Sequence, residues 1–220
     1  MRLLLTSAGI ANSSIRAALL ELLGKPIAES HALLISTASL PLRTGPELAW
    51  NFYAGREARA PMAELGWGTL GVLELTALPS LDPVRWRPTV EAADVLLVNG
   101  GDAFYLDRWM RESGLAALLP NLRAVYVGMS AGSMVMGPSI SDDFAAWTSP
   151  AGGEGLGFVD FELFPHLDHP ELSENTMAAA ERWAARLSSP GYAIDDATAI
   201  KVVDGVAEVV SEGHWRSFAP

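Results

Sequence analysis

The chain contains no cysteine. Disulfides, thiolate metal sites and a cysteine nucleophile are excluded together, and the redox compartment stays undetermined. Long hydrophobic runs are missing as well, since no stretch approaches the roughly 18 apolar residues needed to cross a bilayer. The apolar start at residues 3–5 follows Arg2 and passes directly into Ser7-Ala8-Gly9, too soon for the core of a signal peptide. Positive charge is scarce: 15 Lys plus Arg stand against 26 Asp plus Glu, a net charge of −11. A surface that displaces counterions from phosphate needs the opposite balance, so sequence-independent nucleic-acid binding is excluded, and attraction to an anionic membrane with it. Repeats, low-complexity tracts and a domain linker are also absent. What remains is a chain half hydrophobic and only 19% charged, expected to fold as one α/β domain over residues 1–220, soluble and cytoplasmic.

Short apolar runs alternate with longer helical stretches. Strands are expected at 3–5, 32–37 (ALLIST), 70–75 (LGVLEL), 95–98 (VLLV) and 124–127 (AVYV). Between them, helices are expected at 15–23, closed by Gly24 and Pro26, at 84–93, at 103–111 and at 115–119. A long, mostly helical region broken at Gly55 and Pro61 precedes the third strand. Strands apolar on both faces, separated by helices, imply a mostly parallel sheet covered on both sides. After a strand-like 157–164 and a helix at 178–187, the tail changes character. Segments 198–203, 206–210 and 215–218, split by Asp204-Gly205 and Gly213, read as a C-terminal antiparallel meander.

The most informative segment runs from Ala124 to Ser133. An apolar strand leads straight into Gly128-Met129-Ser130-Ala131-Gly132 and then into a helix-compatible stretch, the context of a nucleophile elbow. The turn is so sharp that side chains two residues either side of the serine would collide, and glycines stand at both places. Such a turn lifts the Ser130 hydroxyl clear of the backbone and sets the Ala131 N–H beside the reacting carbonyl, where a helix N-terminus favours negative charge. A second loop, Asn99-Gly100-Gly101-Asp102, also follows an apolar strand, so the Gly101 N–H could be the second oxyanion donor. Asp102 in that loop is a candidate for substrate contact and equally for the N-cap of the next helix.

A serine needs a base, and the chain has four histidines: His31, His166, His169 and His214. His31 begins an early strand and reads as structural. His166 and His169 lie in Phe164-Pro165-His166-Leu167-Asp168-His169, a spacing too tight in one loop for convergence on a metal ion. His214 would serve an α/β-hydrolase order of serine, acid and histidine, with Asp195 or Asp196 as its acid.

On these motifs the chain resembles the dipeptidase E and cyanophycinase family of serine peptidases. Leu5-Thr6-Ser7-Ala8-Gly9 and Ser36-Thr37-Ala38-Ser39 look like that family's first two strands, and Val98-Asn99-Gly100-Gly101-Asp102 is similar to its oxyanion loop. Gly128-Met129-Ser130-Ala131-Gly132-Ser133-Met134 matches the elbow, and Phe164-Pro165-His166 matches the motif of the base. The resemblance implies a class I glutamine-amidotransferase-like, flavodoxin-like fold, with Ser130 as nucleophile, His166 as base and the Gly101 and Ala131 amides as oxyanion hole. It places the third member, a carboxylate, after the elbow helix, where Asp142 and Asp143 stand and Glu154 follows. Related enzymes of this type hold an N-terminal aspartate with an arginine in a Gly-Glu-Thr-Arg pattern. Here the comparable stretch is Ser173-Glu174-Asn175-Thr176-Met177, so Met177 stands for the arginine and Glu174 opposes an acidic side chain, with Arg182 one turn beyond.

The expected function is therefore a serine peptidase acting on short peptides or similar small molecules, not selective for N-terminal aspartate. It needs neither cofactor nor metal, and a homodimer stays open as its assembly. Two other readings are an esterase using His214 and a non-catalytic binding module on the same fold. Their discriminating features are which histidine faces Ser130 and whether that serine reacts.

Overall fold

The computed structural model describes residues 1–56, 60–142 and 153–220. In chain order the strands are β1 (Arg2–Thr6), β2 (His31–Ile35), β3 (Thr69–Val72), β4 (Val95–Val98), β5 (Val125–Met129), β6 (Glu162–Phe164), β7 (Gly191–Ile194), β8 (Thr198–Val203), β9 (Val206–Ser211) and β10 (Trp215–Phe218). The helices are α1 (Ser13–Leu23), α2 (Gly45–Tyr53), α3 (Pro83–Ala92), α4 (Ala103–Glu112), α5 (Leu115–Leu118), α6 (Ala131–Met134) and α7 (Met177–Ala184). Among the described residues the main sheet has the order β3-β2-β4-β5-β1-β8-β9, and a smaller one has the order β10-β7-β6. In the main sheet β3, β2, β4, β5 and β1 are parallel, while β8 and β9 add antiparallel. This matches the expected mostly parallel α/β architecture.

Alternation along each strand divides the core between the two faces of the sheet. Leu3 and Leu5 of β1, with Leu96 and Val98 of β4, point to the face covered by α3 and α4 through Trp86, Val90, Leu106 and Met110. Leu4, Val95 and Leu97 point to the opposite face, where Ile15, Leu19 and Leu22 of α1 meet Phe52 of α2. Local chemistry ends the helices where the sequence indicates. Asn12 accepts the Ile15 N–H at 2.9 Å at the start of α1, and Gly24 closes it at φ 67°. Asp204 (φ 49°) and Gly205 (φ 84°) make the β8–β9 hairpin turn, both in the left-handed region such a turn demands. No helix among the described residues is long and apolar enough to cross a membrane.

Three expectations need correction. Among the described residues, the expected helical region before β3 holds α2 and short 3-10 turns at 37–39 and 63–65, and β3 ends at Val72. Beyond it, Glu74 accepts the Thr76 N–H and starts a turn instead. The tail is not one meander: β10 leaves β9 and pairs antiparallel with β7, which the sequence reading did not foresee. That pairing packs Phe218 with Trp183 of α7, beside Phe164, Leu167 and Ala193, in a small separate core.

Leu4 is completely buried in β1, an interior strand of the main sheet between β5 and β8. Leu4→Ala is expected to cost about 2–5 kcal/mol through lost transfer energy and a residual cavity, read as a lower urea midpoint.

Candidate active site

β5 ends at Met129 and α6 begins at Ala131, so Ser130 turns the chain alone, with φ 49° and ψ −112°. A non-glycine residue so placed costs about 1–3 kcal/mol and persists only where its surroundings over-determine it. Here the Ser130 N–H donates to the Thr6 carbonyl at 3.0 Å, and the Ser133 hydroxyl donates to the same oxygen at 2.8 Å. The Ser130 carbonyl in turn receives the N–H groups of Ser133 and Met134. A Cβ on Gly128 would stand 2.5 Å from the Gly132 carbonyl oxygen, and one on Gly132 would stand 2.5 Å from that of Val98. Both glycines are therefore steric requirements of the elbow.

The second loop lies directly against it, for a Cβ on Gly100 would be 3.2 Å from the Ser130 Cβ. Asn99, buried, fixes this loop from within. Its amide nitrogen donates to the Ser36 and Ser39 hydroxyls at 2.8 and 3.2 Å, its oxygen accepts the Gly100 N–H at 2.8 Å, and Ser39 donates to the Gly100 carbonyl at 3.1 Å.

Across a cavity of about 270 Å³, which Ser130 and Gly101 line, stand His166, His169 and Asp196. β6 and β7 run parallel with Phe164 opposite Ala193, so residues just past their carboxyl ends fall side by side. His166 follows β6 by two residues and Asp196 follows β7 by two. The His166 Nδ1 is 2.7 Å from Asp196 Oδ1. An ionised carboxylate only accepts, so Nδ1 carries a proton, and in the neutral ring Nε2 is the nitrogen that can accept one. Ser7 completes the arrangement. Its hydroxyl accepts the His166 backbone N–H at 2.6 Å and donates to Asp196 Oδ1 at 2.9 Å. His169 accepts the Glu171 N–H at Nδ1 and brings Nε2 to 3.4 Å from Asp196 Oδ2. Burial alone would push the Asp196 carboxyl up. The hydrogen bond and charge of His166, the Ser7 hydroxyl and the charge of His169 outweigh it and hold the group below the ordinary carboxylate value.

Of the residues expected from sequence, Ser130, His166 and Gly101 come together, and Ala131 starts α6 behind the serine. Among the described residues the carboxylate on His166 Nδ1 is Asp196, not one from the segment after the elbow. Asp142 is exposed and Asp143 lies outside the described residues, while the nitrogen that either was to hold is occupied by Asp196. Glu154 is exposed, bridges backbone to Ser139, and sits near Asp107 of α4. Asp102 is fully buried as the N-cap of α4, accepting the Tyr105 N–H at 2.8 Å, and is not on the cavity wall. Met177 is not there either; it packs on the small core of Phe164, Leu167 and Trp183. Glu174 and Arg182 are exposed. His214 binds Asp168 and Asp195 outside the cavity, so the α/β-hydrolase order is not the arrangement present. His31 sits at the start of β2, with Nδ1 2.7 Å from the Thr69 hydroxyl. Sequence reasoning missed Ser7 and the pairing of Asp196 with His166. The available signal was the short apolar run GYAI ending in Asp195-Asp196, a strand followed by acids.

The profile of peptidase family S51 matches residues 3–210. The chain belongs to that family. Peptidase E of Escherichia coli O6:K15:H31 (strain 536 / UPEC) is 28% identical over 181 residues, which is 80% of this chain and 73% of the relative. A structure of a peptidase E-type protein from Listeria monocytogenes EGD-e superposes with a TM-score of 0.68 at 21% identity, covering 96% of this chain and 98% of the other. A peptidase from an acI-B1 Actinobacterium gives 0.66 at 19% identity, covering 99% and 96%. At these identities the two structures speak to the fold alone, and both share it with this S51 chain.

For the S51 cavity, Asp196→Asn tests the couple directly. An amide can donate to Nδ1 and favours the wrong imidazole tautomer, so peptide turnover should fall on the order of 10⁴-fold with the fold retained. The same variant alters stability with a defined sign. A depressed carboxyl contributes stability that is present above its unfolded value of about 3.9 and lost as pH falls through the lower folded value. Urea titrations should show a constant gap between wild type and Asp196→Asn near neutrality, closing as the pH drops below about 4.

Proposed function

We propose that this S51 peptidase is of the serine type and acts on short peptides through an acyl-enzyme on Ser130. The observation that carries the reading is one cavity lined by a serine at a strained strand-to-helix turn and by a histidine whose far nitrogen is bound to a carboxylate. In this mechanism Ser130 Oγ attacks the scissile carbonyl carbon as His166 Nε2 takes its proton. The oxyanion that forms is met by the Ala131 and Gly101 N–H groups. The carbon–nitrogen bond then breaks, and His166 delivers the proton to the departing amine. Water attacks the ester with His166 again as base, the carbon–Oγ bond breaks, and the proton returns to Ser130. Asp196 stays ionised throughout, orienting His166 and stabilising the imidazolium.

A preference for uncharged first residues fits the cavity wall. Leu42, Leu48, Ala60 and Met129 supply apolar surface, and the described lining contains no lysine or arginine. A carboxylate brought into this space would lose water without gaining a fixed cation, and it would face Asp196.

Fluorophosphonate labelling tests the chemistry: wild type should be labelled, and Ser130→Ala should lose both label and peptide hydrolysis while unfolding normally in urea. Full activity in Ser130→Ala ends the serine reading. In a panel of Xaa dipeptides and aryl amides, neutral first residues should be cleaved faster than aspartate. Selective cleavage of Asp-Xaa would overturn the specificity.

A further inference from the structure

Resting on the reading of His166 as base, we propose that His214 is a positioning residue that holds the turn carrying His166, acting through Asp168. The turn needs holding. His166 (φ 56°) and Asp168 (φ 53°) are both non-glycine residues in the left-handed region, two positions apart, and each such conformation is costly. Backbone contacts meet part of the cost: the Leu167 N–H reaches the Ile194 carbonyl at 3.0 Å, and the Asp168 N–H reaches that of Asn175 at 2.6 Å.

The Asp168 carboxylate has two outlets. Oδ1 accepts the Met177 N–H at 3.1 Å, and Oδ2 lies 2.9 Å from His214 Nε2. His214, just before β10, brings its other nitrogen to 3.1 Å from Asp195 Oδ2. The Nε2 contact with Asp168 is a hydrogen bond, whereas the Nδ1 approach to Asp195 is an ion-pair distance. The ring thus spans Asp168, two residues after the base, and Asp195, next to the acid.

The two arms are not equivalent. Asp195 keeps other donors without the ring: the Ala197 N–H at 3.1 Å, the Thr198 hydroxyl at 2.6 Å and the His214 backbone N–H at 2.8 Å. Asp168 Oδ2 depends on the ring. The Asp168 arm therefore transmits the effect, and because both partners of that arm are about half exposed the effect is modest.

The test compares His214→Ala, His214→Gln, Asp168→Ala and the Ala/Ala double variant in the full chain. Readouts are kcat and KM on a neutral dipeptide, the fluorophosphonate labelling rate, and the downfield proton resonance of His166 Nδ1–H, assigned by its loss in His166→Gln. His214→Ala and Asp168→Ala should each lower kcat and labelling about fivefold with KM unchanged, and should broaden the resonance. His214→Gln, which keeps a donor toward Asp168, should recover most of both. The double variant should be no worse than Asp168→Ala alone, because the His214–Asp168 contact is common to both singles and Asp168→Ala already removes it together with the Met177 N–H bond. Unchanged kcat and an unchanged resonance in His214→Ala, or losses that multiply in the double variant, would overturn the proposal. If Ser130→Ala retains hydrolysis, the serine mechanism falls instead, and the resonance alone still decides whether His214 holds the turn.

Discussion

Two adjacent side chains at the end of one strand hold the nucleophile and the base in a common frame. β1 lies between β5 and β8, with Thr6 opposite Met129 on one side and Ala199 on the other. The residue after Met129 is the elbow serine, and Asp196 comes shortly before β8. The chain leaving β1 must therefore pass between nucleophile and acid. Thr6 grips the elbow through its carbonyl, and its hydroxyl donates to the Gly128 carbonyl at 2.8 Å. Ser7 grips the base and the acid with a single hydroxyl, accepting from one and donating to the other. A hydroxyl has one proton and two lone pairs, and both kinds of capacity are used here. A larger side chain would push His166 off Asp196, and an apolar one would leave a backbone donor without its partner.

Strain follows the same geography. The non-glycine residues with positive φ among those described are Ser130, His166, Asp168 and Asp204. Asp204 serves a hairpin turn far along the β8–β9 ribbon, while Ser130 and His166 line the cavity and Asp168 stands two residues beyond His166. Each of the three is held by bonds from outside its own loop: Ser130 by Thr6, His166 by Ser7, and Asp168 by Asn175 and His214. Rigid elements thus impose conformations that short loops would not adopt alone, which is how a site gains geometry beyond what local propensity supplies.

The sequence made the parallel sheet legible because its strands are apolar on both faces and are separated by helices with clear ends. The elbow was legible because glycine is the residue that clears a collision at 128 and 132, so composition and geometry coincide. Pro165-His166 was legible by resemblance. The acid was not, for a physical reason. β7 is four residues long, includes a glycine, and pairs with β6 and β10, strands of three and four residues. The stretches holding β6 and β10 read as strands at 157–164 and 215–218, but β7 between them did not. With β7 unseen, Asp196 had no strand end to stand on, and nearness along the chain favoured the segment after the elbow. The pairing of β10 with β7 was hidden likewise, since a hairpin turn predicts its own two strands and nothing about a third.

The division of labour between the two sheets has a consequence for dynamics. The nucleophile sits on the main sheet, whose two faces carry the large cores, while the base projects from the small sheet. One face of that sheet is backed by Phe164, Leu167, Ala180, Trp183 and Ala193, while Leu163 of β6 and Ile194 of β7 are buried from its other face in the core of the main sheet. Regions with few buried apolar side chains open at lower free energy than the global transition. Opening of the small sheet would withdraw His166 from Ser130 and would also disturb the elbow's own packing, because Leu163 and Ile194 share one buried cluster with Ala131 and Met134 of α6. The base is then held by the small core on one face and by the main core on the other, and the polar bonds between the sheets add to that apolar join. Ser7 to His166, Ser7 to Asp196 and His214 to Asp195 all cross that boundary or flank it. Each is modest alone, and together with the shared core they hold the two sheets as one site.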